Sequence, residues 1–98
     1  KMSIKVEFSG GLEVLAGDRQ NVEVNLNNLK SSSMKSLILY VEENIIQYRK
    51  DHFIETGSKI KPGIIVLVNN CDWEILGGEN YALSDGDLVT FIMTLHGG

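Results

Sequence analysis

Residues 33–49, Ser33-Met34-Lys35-Ser36-Leu37-Ile38-Leu39-Tyr40-Val41-Glu42-Glu43-Asn44-Ile45-Ile46-Gln47-Tyr48-Arg49, decide the architecture. Met34, Leu37, Ile38, Val41, Ile45 and Tyr48 recur at helical spacing and mark one apolar face. Glu42, Glu43, Asn44, Gln47 and Lys50 occupy much of the remainder. Ser31-Ser32-Ser33 supplies hydroxyls suited to an N-cap. The spacing predicts one long helix over residues 33–49. Leu39 and Tyr40 lie off the stripe, with no cover evident in the sequence.

On the N-terminal side, Ile4, Val6 and Phe8 alternate with Lys5, Glu7 and Ser9, the period-two signature of a half-buried strand. Gly10-Gly11 breaks it. Val22, Val24 and Leu26 alternate with Glu23, Asn25 and Asn27 in a second strand. The connection is too long for a tight hairpin turn. It carries Leu12, Val14, Leu15 and Ala16, which predicts a short helical turn against the sheet end.

On the C-terminal side, residues 51–61 read as irregular, anchored by Phe53 and Ile54. Lys61-Pro62-Gly63 is a turn signal. Ile64-Ile65-Val66-Leu67-Val68 is a continuous apolar run, read as a central strand buried on both faces. Trp73-Glu74-Ile75-Leu76 reads as a short edge strand, Ser84-Asp85-Gly86-Asp87 as a turn, and Leu88 to Leu95 as the last strand. In that strand Val89, Phe91 and Met93 are assigned to the core, so Ile92 faces the other way. The order is β, β, α, β, short β, β. A sheet covered on one face by one helix suits it, and a crossover helix permits parallel pairing. The order matches the α+β β-grasp (ubiquitin-like) arrangement, a mixed sheet of four to five strands on one main helix, and several other α+β folds share it.

Composition bounds the rest. The 98 residues make one domain, 43% hydrophobic and 22% charged, which argues against disorder. No apolar run reaches membrane-spanning length and no signal-peptide pattern is evident. Net charge is −4, and none of the nine basic residues follows Lys61. A chain that grips nucleic acid by itself needs a clustered basic face; none is visible, so no direct nucleic-acid or membrane contact is expected. The acidic C-terminal third suits docking onto a protein with basic counter-charges. The single cysteine, Cys71, cannot form an internal disulfide, which is compatible with the cytosol.

The sequence stops at Leu95-His96-Gly97-Gly98, directly after the last strand. Two glycines in both terminal positions arise by chance in about 0.5% of chains; floppy ends also use them. Lacking Cβ, glycine enters narrow channels, and four extended residues reach about 13–14 Å. The Gly98 α-carboxylate is anionic at neutral pH and a poor electrophile, so acyl chemistry there requires activation by another protein with ATP. With no phosphate-binding glycine-rich loop, the chain reads as substrate and not catalyst. The remaining residues read blandly: Cys71 as an inert thiol, His52 as a solvated loop residue, and Trp73 as packed on the sheet. No metal-ligand spacing is present.

From Ser3 to Gly98 the chain resembles the ubiquitin-related modifier 1 family of β-grasp sulfur carriers. The residues that carry the likeness are Val6-Glu7-Phe8, Gly10-Gly11-Leu12-Glu13, Lys61-Pro62-Gly63-Ile64, Leu67-Val68-Asn69, Asp72-Trp73-Glu74 with Gly77, Asp85, Asp87, and Thr94-Leu95-His96-Gly97-Gly98. Lys61, Asn70 and Met93 stand where relatives often carry arginine, aspartate and a small polar residue.

The resemblance implies a body over residues 1–94 and a tail over residues 95–98. Gly98 would be the site of thiocarboxylation and conjugation, with Leu95, His96 and Gly97 recognised as the tail. Ile92 and Thr94 would lie in a docking surface that Leu95 extends. No cofactor would be bound. An E1-like activating enzyme with a rhodanese domain would use ATP and a persulfide donor, a tRNA-uridine thiolase would take the sulfur, and target-protein lysines would take the modifier. A monomer in the cytosol, and also the nucleus, is implied. Two other readings stay open: the small subunit of a pterin-sulfurating synthase, and a non-conjugated ubiquitin-like binding module.

Overall fold

The computed structural model describes residues 2–94. Strand β1 (Ser3–Ser9) turns Ile4, Val6 and Phe8 into the core and Lys5, Glu7 and Ser9 away from it. A short helix α1 (Leu12–Leu15) leads to β2 (Asn21–Asn25), which pairs antiparallel with β1. The main helix α2 (Met34–Asn44) crosses the sheet. Its N-cap is Ser33, whose hydroxyl accepts from the Ser36 N–H at 3.2 Å. Then come β3 (Ile54–Thr56), β4 (Lys59–Ile60), β5 (Ile64–Val68), β6 (Cys71–Asp72) and β7 (Leu88–Met93).

The five-stranded sheet has the order β2-β1-β7-β5-β6. β7 runs parallel to β1 and antiparallel to β5. The parallel pair is the one whose connection contains α2, as a crossover requires. Met34, Leu37, Ile38 and Val41 of α2 are buried together with Ile4, Val6, Phe8, Val66, Val68, Val89 and Phe91 of the sheet. Phe91 sits between two rings, stacked on Phe8 at 5.8 Å and meeting Phe53 edge-on at 5.3 Å. The expected β-grasp architecture is present.

Five local expectations are corrected. α2 ends at Asn44, well short of residue 49. Ile45 and Ile46 are both buried, which a straight helix would not allow without widening its apolar stripe. The ladder instead loosens: the Ile45 and Ile46 N–H groups both donate to the Val41 carbonyl, and the Gln47 N–H donates to Leu15 of α1. Tyr48, placed on the apolar face by spacing, is 57% exposed. Residues 54–60 form a two-stranded hairpin of β3 and β4, turning through Gly57 with φ +55°. β5 is not the central strand, because β6 beyond it is only two residues long. Its outer face is open, and Ile65 is 44% exposed. The edge strand is Cys71–Asp72, and Trp73–Leu76 is a 3-10 turn. The Asp72 carboxylate accepts from the Glu74 N–H at 2.9 Å, which starts that turn and stops the strand. Trp73 packs against the core, as read from the sequence.

Candidate functional site

β7 is the last strand among the described residues and leads to Thr94, the residue before the tail expected from the sequence. It is hydrogen-bonded on both sides, with Phe8 opposite Phe91 across β1 and Val66 opposite Phe91 across β5. Its start is held by a polar clip. The Asp87 carboxylate, on a buried residue, accepts from the Ser84 N–H at 2.9 Å, the Asn69 amide at 2.9 Å and the Tyr81 hydroxyl at 3.0 Å. Asn69 in turn accepts from the Leu88 N–H at 2.9 Å, so the β5–β6 turn and the start of β7 are joined. Asp85 accepts from the Ser3 N–H at 2.8 Å and secures the start of β1. Tyr81 is shifted above the ordinary phenol range, first by burial and then by its hydrogen bond and charge repulsion with Asp87. These two aspartates are architectural.

The other end of β7 is the root of the tail. Thr94 is exposed, and both its N–H, at 2.9 Å, and its hydroxyl donate to the Gly63 carbonyl. Gly63 can offer that carbonyl because it takes φ +97° after Pro62, a conformation that favours glycine. On the β1 side, Gly10 sits at φ +71° so close to β7 that a Cβ there would lie 2.1 Å from the Met93 carbonyl oxygen. The two glycine turns grip the last described residues from both flanks. Sequence reading marked Gly10 as a strand breaker and Gly63 as part of a turn, both in segments that carry the family likeness; their contacts with Met93 and Thr94 required knowing that β1, β5 and β7 are adjacent.

The outer sheet face supplies the second part of the site. Ile92 is half-buried and pairs with Ile65 of β5 and Ser9 of β1. Residues opposite one another share a face, so Ile65 and Ile92 form an apolar patch beside the tail root. The next row is mixed: Thr90, opposite the half-buried Leu67 of β5, donates to Glu7 of β1 at 3.3 Å. Ile92 and Thr94 lie two residues apart at the end of β7, with Ile65 opposite Ile92. Sequence reading missed Ile65 because an unbroken apolar run hides which alternate positions face outward. Gly98, Gly97, His96 and Leu95 lie outside the described residues. Met93, assigned to the core, is only partly buried against it.

Among residues read blandly, Cys71 is exposed on β6. His52 is exposed and its Nε2 lies 2.9 Å from Arg49 Nη2. Among the described residues no helix is long and apolar enough to cross a membrane.

Comparison with known proteins bears on the whole of this arrangement, tail included. The family Urm1 (Ubiquitin related modifier) matches residues 3–98. The chain is similar to ubiquitin-related modifier 1 of Schizosaccharomyces pombe, 48% identical over 98 residues, covering 99% of this chain and 100% of that protein. It is also similar to ubiquitin-related modifier 1 of Homo sapiens, 40% identical, covering 99% and 96% respectively. The solution structure of Urm1 from Trypanosoma brucei superposes with a TM-score of 0.83 at 38% identity, covering 98% of this chain and 95% of that one. With a profile that runs from β1 through the terminal glycines and relatives matched over nearly their full length, the chain belongs to the ubiquitin-related modifier 1 family.

Proposed function

We propose that the carboxyl group of Gly98 is the working group of this protein, that residues 95–98 act as a tail on a body formed by residues 1–94, and that Leu95, His96 and Gly97 are the part of the tail an activating enzyme recognises. As a family member the chain is a sulfur carrier for tRNA thiolation and a ubiquitin-like modifier of proteins. It is activated by an E1-like enzyme and is not itself a catalyst.

The chemistry follows from the carboxylate. An oxygen of Gly98 attacks the α-phosphorus of ATP in the partner's site, pyrophosphate leaves, and the acyl-adenylate is now electrophilic. A persulfide sulfur displaces AMP to give an acyl disulfide; a second thiol then attacks the enzyme's sulfur, breaking that S–S bond, forming a new disulfide and releasing the thiocarboxylate. A lysine amine attacking the activated carbonyl gives an amide instead. The enzyme's rhodanese domain supplies the persulfide. A separate tRNA-uridine thiolase receives the sulfur and holds the tRNA, which suits a carrier of net charge −4. Cytosol and nucleus are the compartments where these partners meet.

The observation that carries the assignment is the clamp at Thr94. The body is fixed up to Thr94 by the Gly63 carbonyl, and the four residues beyond it reach about 13–14 Å when extended. Ile92 and Thr94, with Ile65, form the surface against which the enzyme seats while it holds the tail. The test is incubation with the E1-like enzyme, ATP and a sulfur donor, followed by intact mass. The mass rises by the difference between sulfur and oxygen, and deletion of Gly98 abolishes the rise without altering thermal unfolding. Sulfur gain by the truncated chain would remove Gly98 from this role.

A further inference from the structure

The 3-10 turn Trp73–Leu76 holds an apolar side chain where none is required by the fold. Its first residue, Trp73, packs against the core, while Ile75 is 81% exposed and Leu76 37%. Trp73 therefore occupies the inner side of the turn, while Ile75 is directed outward and Leu76 is exposed beside it. The turn is closed at both ends. Asp72 caps its start, and Gly77 at φ +112° ends it, donating its N–H to the Glu74 carbonyl at 3.4 Å. A side chain fixed in this way loses little entropy on binding.

The surroundings are acidic. Asp72 and Glu74 are exposed beside Ile75, and neither has an ion-pair partner among the described residues. Glu79, three residues after Leu76, is held by the Ser58 hydroxyl at 2.9 Å. No lysine or arginine occurs after Lys61. An isolated exposed isoleucine needs no explanation; one on a braced turn with an unneutralised acidic collar has the form of a plug for an apolar pocket with a basic rim.

The register says which partner can reach it. β6 is antiparallel to β5, with Asp72 opposite Leu67, so the chain leaves Asp72 heading back along β5 toward Ile64. Ile64 is paired with Met93 at the tail root. Two strand spacings and about three residues of rise place the turn within roughly 15 Å of Thr94. An ordinary interface of about 800 Å² per partner is roughly 30 Å across, so a protein that seizes the tail root covers the turn as well.

We propose that Trp73–Leu76 is a docking element for the E1-like activating enzyme, with Ile75 seated in an apolar pocket of that enzyme and Glu74 and Asp72 facing lysine or arginine side chains at its rim. This rests on the reading of Gly98 as the activated group. The partner is selected by two features together, a rigid apolar tip and a negative collar.

The experiment measures the dissociation constant of the full chain for the E1-like enzyme without ATP, at low and high salt, for wild type, Ile75→Ser, Glu74→Lys and Leu39→Ser. Leu39, 37% exposed on α2, is the control on another element. Ile75→Ser weakens binding about tenfold to a hundredfold at both salts, as expected for losing one buried aliphatic side chain. Glu74→Lys weakens it most at low salt, where exposed charges are least screened. Leu39→Ser has no effect. Ile75→Ser binding within about twofold of wild type, or Leu39→Ser weakening it as much, overturns the proposal, as does absence of wild-type binding. Sulfur transfer to wild-type Gly98, followed by intact mass in parallel, separates the two ideas. A normal mass gain with unchanged Ile75→Ser affinity rejects only the docking element, whereas no gain rejects the Gly98 assignment.

Discussion

Gly10→Ala tests whether the root of the tail is held by close backbone approach or only by sheet pairing. Gly10 and Gly11 both have positive φ, +71° and +109°, so alanine at either position carries a conformational penalty of about 1–2 kcal/mol, partly offset by about 0.4–1 kcal/mol from a less flexible unfolded chain. The surroundings separate them. A Cβ at Gly11 meets nothing within 4 Å, whereas one at Gly10 lies 2.1 Å from the Met93 carbonyl oxygen, a backbone atom that cannot rotate away. Relief needs a shift of about 1 Å in either the turn or the end of β7. An overpacked site of this kind costs about 1–3 kcal/mol. Gly11→Ala is therefore expected to lose about 1 kcal/mol and Gly10→Ala about 2–4 kcal/mol, read by urea unfolding with the wild-type slope retained. Amide chemical shifts of Met93 and Thr94 move in Gly10→Ala and stay in place in Gly11→Ala. Equal losses within about 0.5 kcal/mol, or unmoved Met93 and Thr94 resonances in Gly10→Ala, refute the argument.

Tyr81→Phe removes a hydroxyl that donates to a carboxylate at 3.0 Å; the expected loss is about 1.5–3 kcal/mol, checked by thermal and urea unfolding near neutral pH. Because the folded protein raises the Tyr81 pKa, its contribution is full below the free phenol value of about 10 and fades as pH rises through the folded value. Wild type should lose stability in strong alkali more steeply than Tyr81→Phe, and parallel pH curves would contradict this. Phe53→Ala empties a fully buried position whose ring meets Phe91 edge-on, with an expected loss of about 3–5 kcal/mol, out of the 5–15 kcal/mol typical of a domain. A loss below about 1.5 kcal/mol in urea unfolding would mean that the hairpin segment is not integral to the core.

The elements with a regular period were legible in the sequence. β1 and β2 alternate cleanly because one face is buried and the other meets water, and Met34, Leu37, Ile38 and Val41 keep helical spacing. Misreadings came where tertiary contacts override local pattern. Nothing in Ile45-Ile46 announces that the helix ends there, since the cause is the Gln47 bond to Leu15, thirty-two positions away in sequence. Trp73-Glu74-Ile75-Leu76 has the composition of a strand, but the Asp72 carboxylate bonded to the Glu74 N–H selects a turn. Ile64 to Val68 reads as a strand covered on both faces because composition cannot tell a covered face from a face kept apolar for a partner. At the candidate docking face, strand parity put Ile92 and Thr94 on one side of the sheet and the family resemblance made that side a docking surface, while Ile65, Gly10 and Gly63 come beside them only through sheet order.

The placement of the tail on β7 has a mechanical consequence. On the proposed reading, a partner that draws residues 95–98 into an active site would pull on β7 through Thr94. Were that strand at the sheet edge, the pull would peel it away one hydrogen bond at a time, as at the weakly held ends of any sheet. β7 instead lies between β1 and β5 and is bonded to both along most of its length. A pull along its axis loads those bonds together, in shear. The Asp87–Asn69–Tyr81 clip fixes the far end, and the Thr94 bond to Gly63 is the first to yield. The turn residues of this chain therefore divide by the end of β7 they secure: Asp85 and Asp87 near where the strand begins, Gly10 and Gly63 near Met93 and Thr94 where it ends. On the proposed reading, the sheet order makes this small domain a rigid handle for the Gly98 carboxyl group.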